Sequence, residues 1–245
     1  MIANPIPTAL SSMRRHGVQC LLMGGQACVF YGGAQFSRDI DLAILANDEN
    51  VGRLKAALNE LHAEVVDVPD FEVAHLHRGH AIHFRCQHPD AMGLRVDVIS
   101  SMRGVGPFPD LWERRTTIEA PDGTTFNLLS VPDLVQSTKT QRDKDWPIIR
   151  RLVEAHYFEN SAEPAEQQVR FWLQQLRTSA LLIECAIRWE EVCRQEVATR
   201  PLLMHASAQD DAALGSAFLA EEQEERVRDK EYWLPLRQEL EALRR

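Results

Sequence analysis

Two acidic residues with one residue between them, Asp39 and Asp41, are the residues of this chain most suited to chemistry. In a β-strand, residues two apart project from the same face, so their Cα atoms would lie roughly 6–7 Å apart on that face. Two carboxylates at this spacing repel each other unless a cation lies between them or one is protonated. Oxygen ligands of this kind suit Mg²⁺ or Mn²⁺.

A third acid has the same layout further along the chain. Asp97 lies between apolar neighbours in residues 95–99, a pattern that predicts a strand. If this strand lies beside the strand of Asp39 and Asp41, the three carboxylates can hold two metal ions about 3.5–4 Å apart. One ion would activate an attacking hydroxyl, and the other would neutralise charge on phosphate oxygens.

A glycine pair, Gly24 and Gly25, supplies the complementary half of such a site. It follows the apolar run 20–23, which predicts a short buried strand, and precedes residues 26–31, which predict a helix. Glycines at a turn let backbone N–H groups approach a ligand closely, and the following helix directs its positive end to the same place. The turn therefore predicts an anion site suited to a triphosphate.

The elements that position these residues alternate between helix-like and strand-like patterns up to about residue 130. Amphipathic spacing predicts helices over residues 7–16 and 49–62. Apolar and alternating runs predict strands. These strands cover residues 20–23, 39–44, 71–76, 81–86 and 94–100, with a hairpin formed by 117–120 and 125–129 around a turn at 121–123.

Beyond residue 130 the pattern is almost entirely helical. A helix start at 130–133 is followed by a long amphipathic run over 163–198 and a last helix over about 207–243. We therefore expect an α+β fold, a mixed sheet flanked by helices and followed by a helical C-terminal region. The expected domains are 1–130 and 131–245, with residues 131–155 contributing to the active site.

The glycine pair, the short helix, the Asp-x-Asp strand and the later single Asp97 together resemble the nucleotidyltransferase (polymerase beta-like) superfamily. The resemblance covers roughly residues 18–155 and is strongest to the minimal bacterial branch that includes abortive-infection toxin-type enzymes. Members often continue with a helix that carries Lys, then Arg, then Lys-Asp or Arg-Asp. The matching residues in this chain are Lys139, Arg142, Lys144 and Asp145.

The resemblance implies a role for each matched residue. Asp39, Asp41 and Asp97 would bind metal and act in catalysis, with Asp97 completing the site or serving as a base, and Lys139 would approach the triphosphate. The nucleotide-binding residues it implies are Gly24, Gly25, Ser37, Arg38, Arg142 and Asp145. Two positions depart from the pattern: Gln35 stands where relatives often carry Arg, and residues 146–148 replace a stretch where toxin relatives often carry a second Asp.

The implied activity is metal-dependent transfer of a nucleoside monophosphate from a nucleoside triphosphate to an acceptor hydroxyl, with Mg²⁺ or Mn²⁺ as cofactor. The acceptor would be RNA, protein or a small molecule. With RNA or protein as acceptor, the chain would be the toxin of a toxin–antitoxin pair, with an antitoxin protein as partner. The alternatives are an antibiotic-modifying nucleotidyltransferase, a non-catalytic nucleotide-binding protein on the same fold, and a helical interaction module formed by residues 160–245.

Composition limits the classes of partner. The chain has 245 residues and a formal net charge of −9, which argues against nucleic-acid binding through broad electrostatics. Five cysteines without a CxxC pair predict reduced, buried thiols rather than a disulfide framework or zinc ribbon. The N-terminus lacks a signal-peptide pattern and no apolar run reaches membrane-span length. We therefore expect a cytoplasmic protein with no membrane partner.

Five of the nine histidines lie between residues 75 and 88. On the predicted hairpin, His75 and His77 would share a strand face with His80 and His83 across the turn, a geometry that could hold Zn²⁺. The interpretation we favour is an exposed hairpin beside the active-site sheet.

Overall fold

The computed structural model describes residues 5–119 and 123–245, and its fold is mixed α+β, as the sequence predicts. The first part of the chain builds one seven-stranded sheet. Its strands are β1 Cys20–Met23, β2 Asp39–Ile44, β3 Glu64–Val65, β4 Ile82–Arg85, β5 Arg95–Ile99, β6 Thr116–Glu119 and β7 Thr125–Leu128. Their order across the sheet is β3-β4-β5-β2-β1-β7-β6.

The centre of this sheet explains why apolar and acidic residues alternate in the sequence. Ile40 and Leu42 of β2 and Val96 and Val98 of β5 are each at most 1% exposed. Successive side chains of a strand point to opposite faces, so burying these residues fixes the intervening acids on the other face. Strands β2 and β5 pair in parallel, which confirms that the two acidic strands are neighbours.

Helices accompany the sheet as the amphipathic patterns predict. The helix Asp48–Glu60, α3, buries Val51, Leu54 and Leu58. The Asn47 side chain caps its start by accepting a hydrogen bond from the backbone N–H of Asn50 at 2.8 Å. The helices of this part are α1 Pro5–Arg15, α2 Gly24–Phe30, α3 Asp48–Glu60, α4 Val73–His77, α5 Phe108–Glu113 and α6 Val131–Thr138.

The strand predicted over residues 71–76 is wrong, because residues 73–77 form the short helix α4. The adjacent residues His75 and Leu76 are both buried, which a half-buried strand does not allow. Phe71 packs edge-on against Phe84 with ring centroids 5.1 Å apart, so it contacts the sheet without joining it. The weak alternation in this segment is overridden by tertiary packing.

The helical part of the chain contains α7 Asp145–Asn160, α8 Glu166–Gln175, α9 Ser179–Arg188, α10 Glu190–Glu196, α11 Leu203–Ser207 and α12 Asp211–Leu243. The amphipathic run predicted over residues 163–198 is helical, and the structure divides it into the three helices α8, α9 and α10. Helix α8 ends where Leu176 adopts an extended conformation with ψ of 134°. The division lets Trp172, Leu176 and Cys185, all fully buried, pack in one core.

The chain forms two compact units. The sheet unit comprises the described residues within 1–30, 34–137 and 232–245, and the helical unit comprises residues 31–33 and 138–231. The predicted boundary lay after residue 130, whereas the units divide after Ser137 and the last part of α12 belongs to the sheet unit.

All five cysteines are free, and four of them are buried. In the described ranges, no helix is both long and apolar enough to cross a membrane. Of the predicted hairpin turn, residues 120–122 lie outside the described residues.

Candidate metal and nucleotide site

Strand register brings the predicted site residues into one row across the sheet unit. Met23 of β1 pairs with Asp41 of β2, and Asp41 pairs in turn with Asp97 of β5. Gly24 directly follows Met23, so the glycine turn and these two acids lie side by side. We call Asp39, Asp41 and Asp97 the acid row.

The glycine pair is packed against residues predicted for the same site. Gly24 has φ of +60°, and a Cβ atom added there would overlap the Asp41 carboxylate. A Cβ on Gly25 would lie 2.8 Å from the Ser37 hydroxyl oxygen. Only glycine at position 24 therefore leaves room for the Asp41 carboxylate beside the turn. A glycine there also lets the backbone approach a phosphate closely.

The Asp97 carboxylate contacts two side chains, those of Arg95 and His83. Its Oδ1 atom lies 2.7 Å from Arg95 Nε and 2.9 Å from His83 Nδ1, and its side chain is 17% exposed. Burial alone would raise the pKa of Asp97, but the hydrogen bonds from His83 and Arg95 together outweigh burial and the pKa is lowered. Asp97 is therefore ionised at neutral pH.

Arg95 is the site residue that sequence reasoning missed. Its hydrogen bond to Asp97 raises the pKa of the guanidinium, and the negative charges of Asp97, Asp39 and Asp41 add to this effect. The Arg95 guanidinium therefore interacts electrostatically with all three carboxylates and acts as their counter-cation. Its position two residues before Asp97 on a strand places both side chains on one face, and this spacing is the signal that could have found it.

The acid row fits a hard divalent cation. Its donor set is made of carboxylate oxygens alone, the type that Mg²⁺ and Mn²⁺ prefer. Its negative potential is strong enough to raise the pKa of a nearby guanidinium. A metal bound here would compete with Arg95 for Asp97.

Two further predicted residues flank the row. Ser37 donates a hydrogen bond through Oγ to the backbone oxygen of Asp39 at 3.2 Å, which fixes the loop that leads into β2. Arg38 is exposed and lies over the ring of Phe36 at 5.6 Å from its centroid. Gln35, the departure from the family pattern, is exposed on the same loop.

The remaining predicted residues belong to the helical unit. Lys139 lines a cavity of about 580 Å³ together with Arg177, Arg200, Glu221 and Glu225. Burial lowers the pKa of Lys139 to about 8, against an opposing effect of Glu225. We call this space the Lys139 cavity.

Arg142 and Asp145 pair with each other in the helical unit. Arg142 Nε donates to Asp145 Oδ2 at 2.8 Å, and the Asp145 side chain is 4% exposed while that of Arg142 is 58% exposed. Asp145 also accepts a short hydrogen bond from Thr140. Asp145 therefore orients the Arg142 side chain.

The histidine hairpin considered for Zn²⁺ does not form. His75 and His77 lie on helix α4, not on a strand, and His77 is exposed. His83 lies on β4 and contacts Asp97 instead. His75 and His80 approach a different residue, described below.

Neither protein-family models nor curated proteins provide a relative for this chain. No protein-family model matches it, and no curated protein matches it significantly. The resemblance to nucleotidyltransferases therefore depends on its own residues and on their arrangement in the sheet unit.

Proposed function

We propose that this protein is a metal-dependent nucleotidyltransferase that moves a nucleoside monophosphate from a nucleoside triphosphate to an acceptor hydroxyl. The observation that carries the proposal is the acid row, in which Asp41 lies against Gly24 and pairs in register with Asp97. A row of carboxylates beside a glycine turn suits a metal-bound phosphate better than it suits fold stability, because like charges at this spacing repel.

The residues of the sheet unit divide the work by their chemistry. Asp39, Asp41 and Asp97 would hold Mg²⁺ or Mn²⁺, which supplies charge neutralisation at the phosphate and activation of the attacking hydroxyl. Asp97 would either complete the metal site or accept the proton of that hydroxyl. The backbone N–H of Gly25 would donate a hydrogen bond to a phosphate oxygen. The Ser37 hydroxyl, which donates to the backbone oxygen of Asp39, would exchange that bond for one to a phosphate oxygen when the nucleotide binds.

Three residues of the helical unit complete the proposal. Lys139 would contribute positive charge to the triphosphate, and its pKa of about 8 leaves it mainly charged at neutral pH. Arg142, held by Asp145, would contribute a second cation. Arg38 is exposed in the loop beside Ser37 and would contact the nucleotide from the sheet unit.

The acceptor is proposed at the level of its reacting group. A hydroxyl of RNA, of a protein or of a small molecule such as an antibiotic would serve, and the net charge of −9 disfavours a large RNA held by general electrostatics. With RNA or protein as acceptor, we propose a cytoplasmic toxin that is paired with an antitoxin protein. Antibiotic modification is the enzymatic alternative.

A non-catalytic role on the same fold is the second candidate. It is favoured by the contact of Arg95 with Asp97 at 2.7 Å, because this pair compensates part of the acid row without any metal. In that case the row would bind a nucleotide or be a structural ion network, and no bond would be broken.

A transfer assay separates these candidates. Purified protein is incubated with each labelled nucleoside triphosphate, Mg²⁺ and either total tRNA or cell extract, beside Asp39→Asn and Asp41→Asn. We expect label transfer to fall on the order of 100-fold or more in both variants. Asp48→Asn, which neutralises an exposed acid of α3, is the matched control and should keep full activity.

Two outcomes of the same assay would contradict the proposal. Nucleotide binding without pyrophosphate release from any triphosphate would favour the non-catalytic role. Absence of both pyrophosphate release and metal-dependent nucleotide binding would refute a nucleotide-handling function altogether.

A further inference from the structure

A second cluster of metal-ligating side chains lies in the sheet unit outside the acid row. His75 comes from α4, His80 from the turn that follows it, and Glu239 from the last part of α12. One ligating atom of each residue lies within 4.8 Å of the other two. His75 is 9% exposed and His80 is 1% exposed, so two imidazoles are enclosed beside one carboxylate. We call these three residues the His–Glu cluster.

The protonation states within the His–Glu cluster follow from its hydrogen bonds. His80 Nε2 lies 2.9 Å from Glu239 Oε2, and an ionised carboxylate only accepts, so this nitrogen carries the hydrogen. One proton therefore holds these two ligands together.

An arginine holds the third ligand. Arg78 donates through Nη2 to His75 Nδ1 at 2.6 Å and through Nε to Glu239 Oε1 at 2.8 Å. Arginine has no acceptor, so His75 Nδ1 must offer its lone pair. Arg78 therefore bridges His75 and Glu239, and the hydrogen on His80 Nε2 links His80 to Glu239.

We propose that the His–Glu cluster is a binding site for a divalent ion of the zinc class. Two imidazole nitrogens and one carboxylate oxygen are a ligand set that zinc accepts while keeping a fourth position for water. Nitrogen ligands favour Zn²⁺ over Mg²⁺, whereas the oxygen-only acid row favours the reverse. The two clusters would therefore select different metals in one unit.

Arg78 can make room for the ion. Its side chain is 47% exposed, so the guanidinium can leave His75 for solvent without being desolvated. Its contact with Glu239 uses Oε1, whereas His80 uses Oε2, so one carboxylate oxygen can bind metal while the other keeps its partner.

Metal binding at the His–Glu cluster would have two consequences. The ion takes the place of the hydrogen on His80 Nε2, and that hydrogen moves to Nδ1 of the same ring, so His80 stays a neutral ligand. It also joins two segments that are 159 residues apart in sequence, which fixes the end of α12 within the sheet unit. We expect the ion to stabilise the folded chain because it binds only the assembled cluster.

The experiment is a titration of the metal-free full chain with Co²⁺ and then Zn²⁺, in a buffer that contains Mg²⁺. We expect one equivalent of Co²⁺ to give the visible absorption of a four-coordinate site and Zn²⁺ to displace it, with a rise in melting temperature. His75→Asn and Glu239→Gln each remove a direct ligand, so they should weaken Zn²⁺ binding by more than the roughly 10–100-fold that loss of an outer hydrogen-bond partner costs. His77→Asn, on the exposed side of the same helix, is the matched control and should bind as the unmodified chain does.

A further variant tests the role assigned to Arg78. Arg78→Met removes the competing cation and should tighten Zn²⁺ binding, whereas a purely structural hydrogen-bond network would lose stability and gain no affinity. Absence of the Co²⁺ absorption in the unmodified chain, or equal loss of affinity in His77→Asn and His75→Asn, would overturn the site. This first readout needs no variant, so it stands even if a substitution prevents folding.

The outcome is independent of the proposed enzyme activity. The doubly substituted chain Asp39→Asn, Asp41→Asn should lose the Mg²⁺-dependent reaction and retain Zn²⁺ binding. Loss of Zn²⁺ binding in this chain would assign the ion to the acid row and overturn the His–Glu site.

Discussion

The acid row of the sheet unit and the Lys139 cavity of the helical unit both bring like charges together, and the two regions respond in opposite ways. Asp97 is enclosed, yet hydrogen bonds from His83 and Arg95 lower its pKa despite the opposing effect of burial. Lys139 is enclosed beside Arg177 and Glu225, and there burial dominates and lowers its pKa to about 8. Burial disfavours a charge unless hydrogen bonds to its charged form outweigh the lost hydration.

The largest expected effect tests how the acid row is positioned. Gly24→Ala places a methyl group on the Asp41 carboxylate and forces alanine to adopt φ of +60°. We expect the free energy of unfolding to fall by about 3–5 kcal/mol, from overpacking and from left-handed backbone together. Denaturant unfolding measures the loss, and metal binding at the acid row should weaken with it.

Gly17→Ala is the matched control for this substitution. Gly17 has φ of +64°, but a Cβ atom there would have nothing within 4 Å. Its cost should therefore be the backbone strain alone, about 1–2 kcal/mol. Equal losses in the two variants would show that Asp41 does not constrain the glycine turn.

The second prediction tests whether burial lowers the pKa of Lys139. Its pKa in the folded chain, about 8, lies below the ordinary 10.5, so between these pH values the unfolded chain binds more protons and stability rises with pH. The gain is absent at pH 7 and complete near 10.5. The unfolding free energy of the unmodified chain minus that of Lys139→Met should therefore rise by about 3 kcal/mol over this window.

Other groups titrate over the same window, but they do so in both chains and cancel in the difference. Lys144→Met is the control, because Lys144 is exposed and its removal should leave the difference flat. A flat difference for Lys139→Met as well would mean that Lys139 is hydrated in the folded chain.

The smallest expected effect tests whether Arg95 competes with a metal ion for Asp97. Arg95→Met removes the cation that competes with a metal for Asp97, so Mn²⁺ should bind roughly fivefold more tightly, the equivalent of the ~1 kcal/mol of a partly exposed ion pair. Calorimetric titration measures this affinity. Arg85→Met removes an exposed cation from the neighbouring strand as a control. Weaker Mn²⁺ binding in Arg95→Met would mean that Arg95 positions Asp97 rather than competes for it.

The acid row was predictable because its elements are local. A period of two within 39–44 and 95–99 places the apolar side chains on one face and the acids on the other, whatever the rest of the chain does. The adjacency of the two strands was an assumption from sequence, which the pairing of Asp41 with Asp97 confirms. Arg95 was missed although its spacing was visible, because its partner Asp97 was considered only as a metal ligand.

Two segments show what a local pattern leaves open. Residues 71–76 alternate like a strand but form α4, because burial of His75 and Leu76 requires adjacent residues to face the core. The run 163–198 is amphipathic throughout, yet it is divided where Leu176 becomes extended. A helical period tells which side is apolar, but it does not tell where the chain must turn to pack that side.

The sequence by itself determined most strands of the first half, the helical character of the second, and the residues that form the acid row, because these depend on side-chain periodicity over a few neighbouring positions. Only the tertiary structure decided which residues the histidines approach. His80 meets Glu239 across 159 residues, and His83 meets Asp97 through strand pairing. Contacts between distant segments arise from the packing of whole elements, which no local pattern encodes.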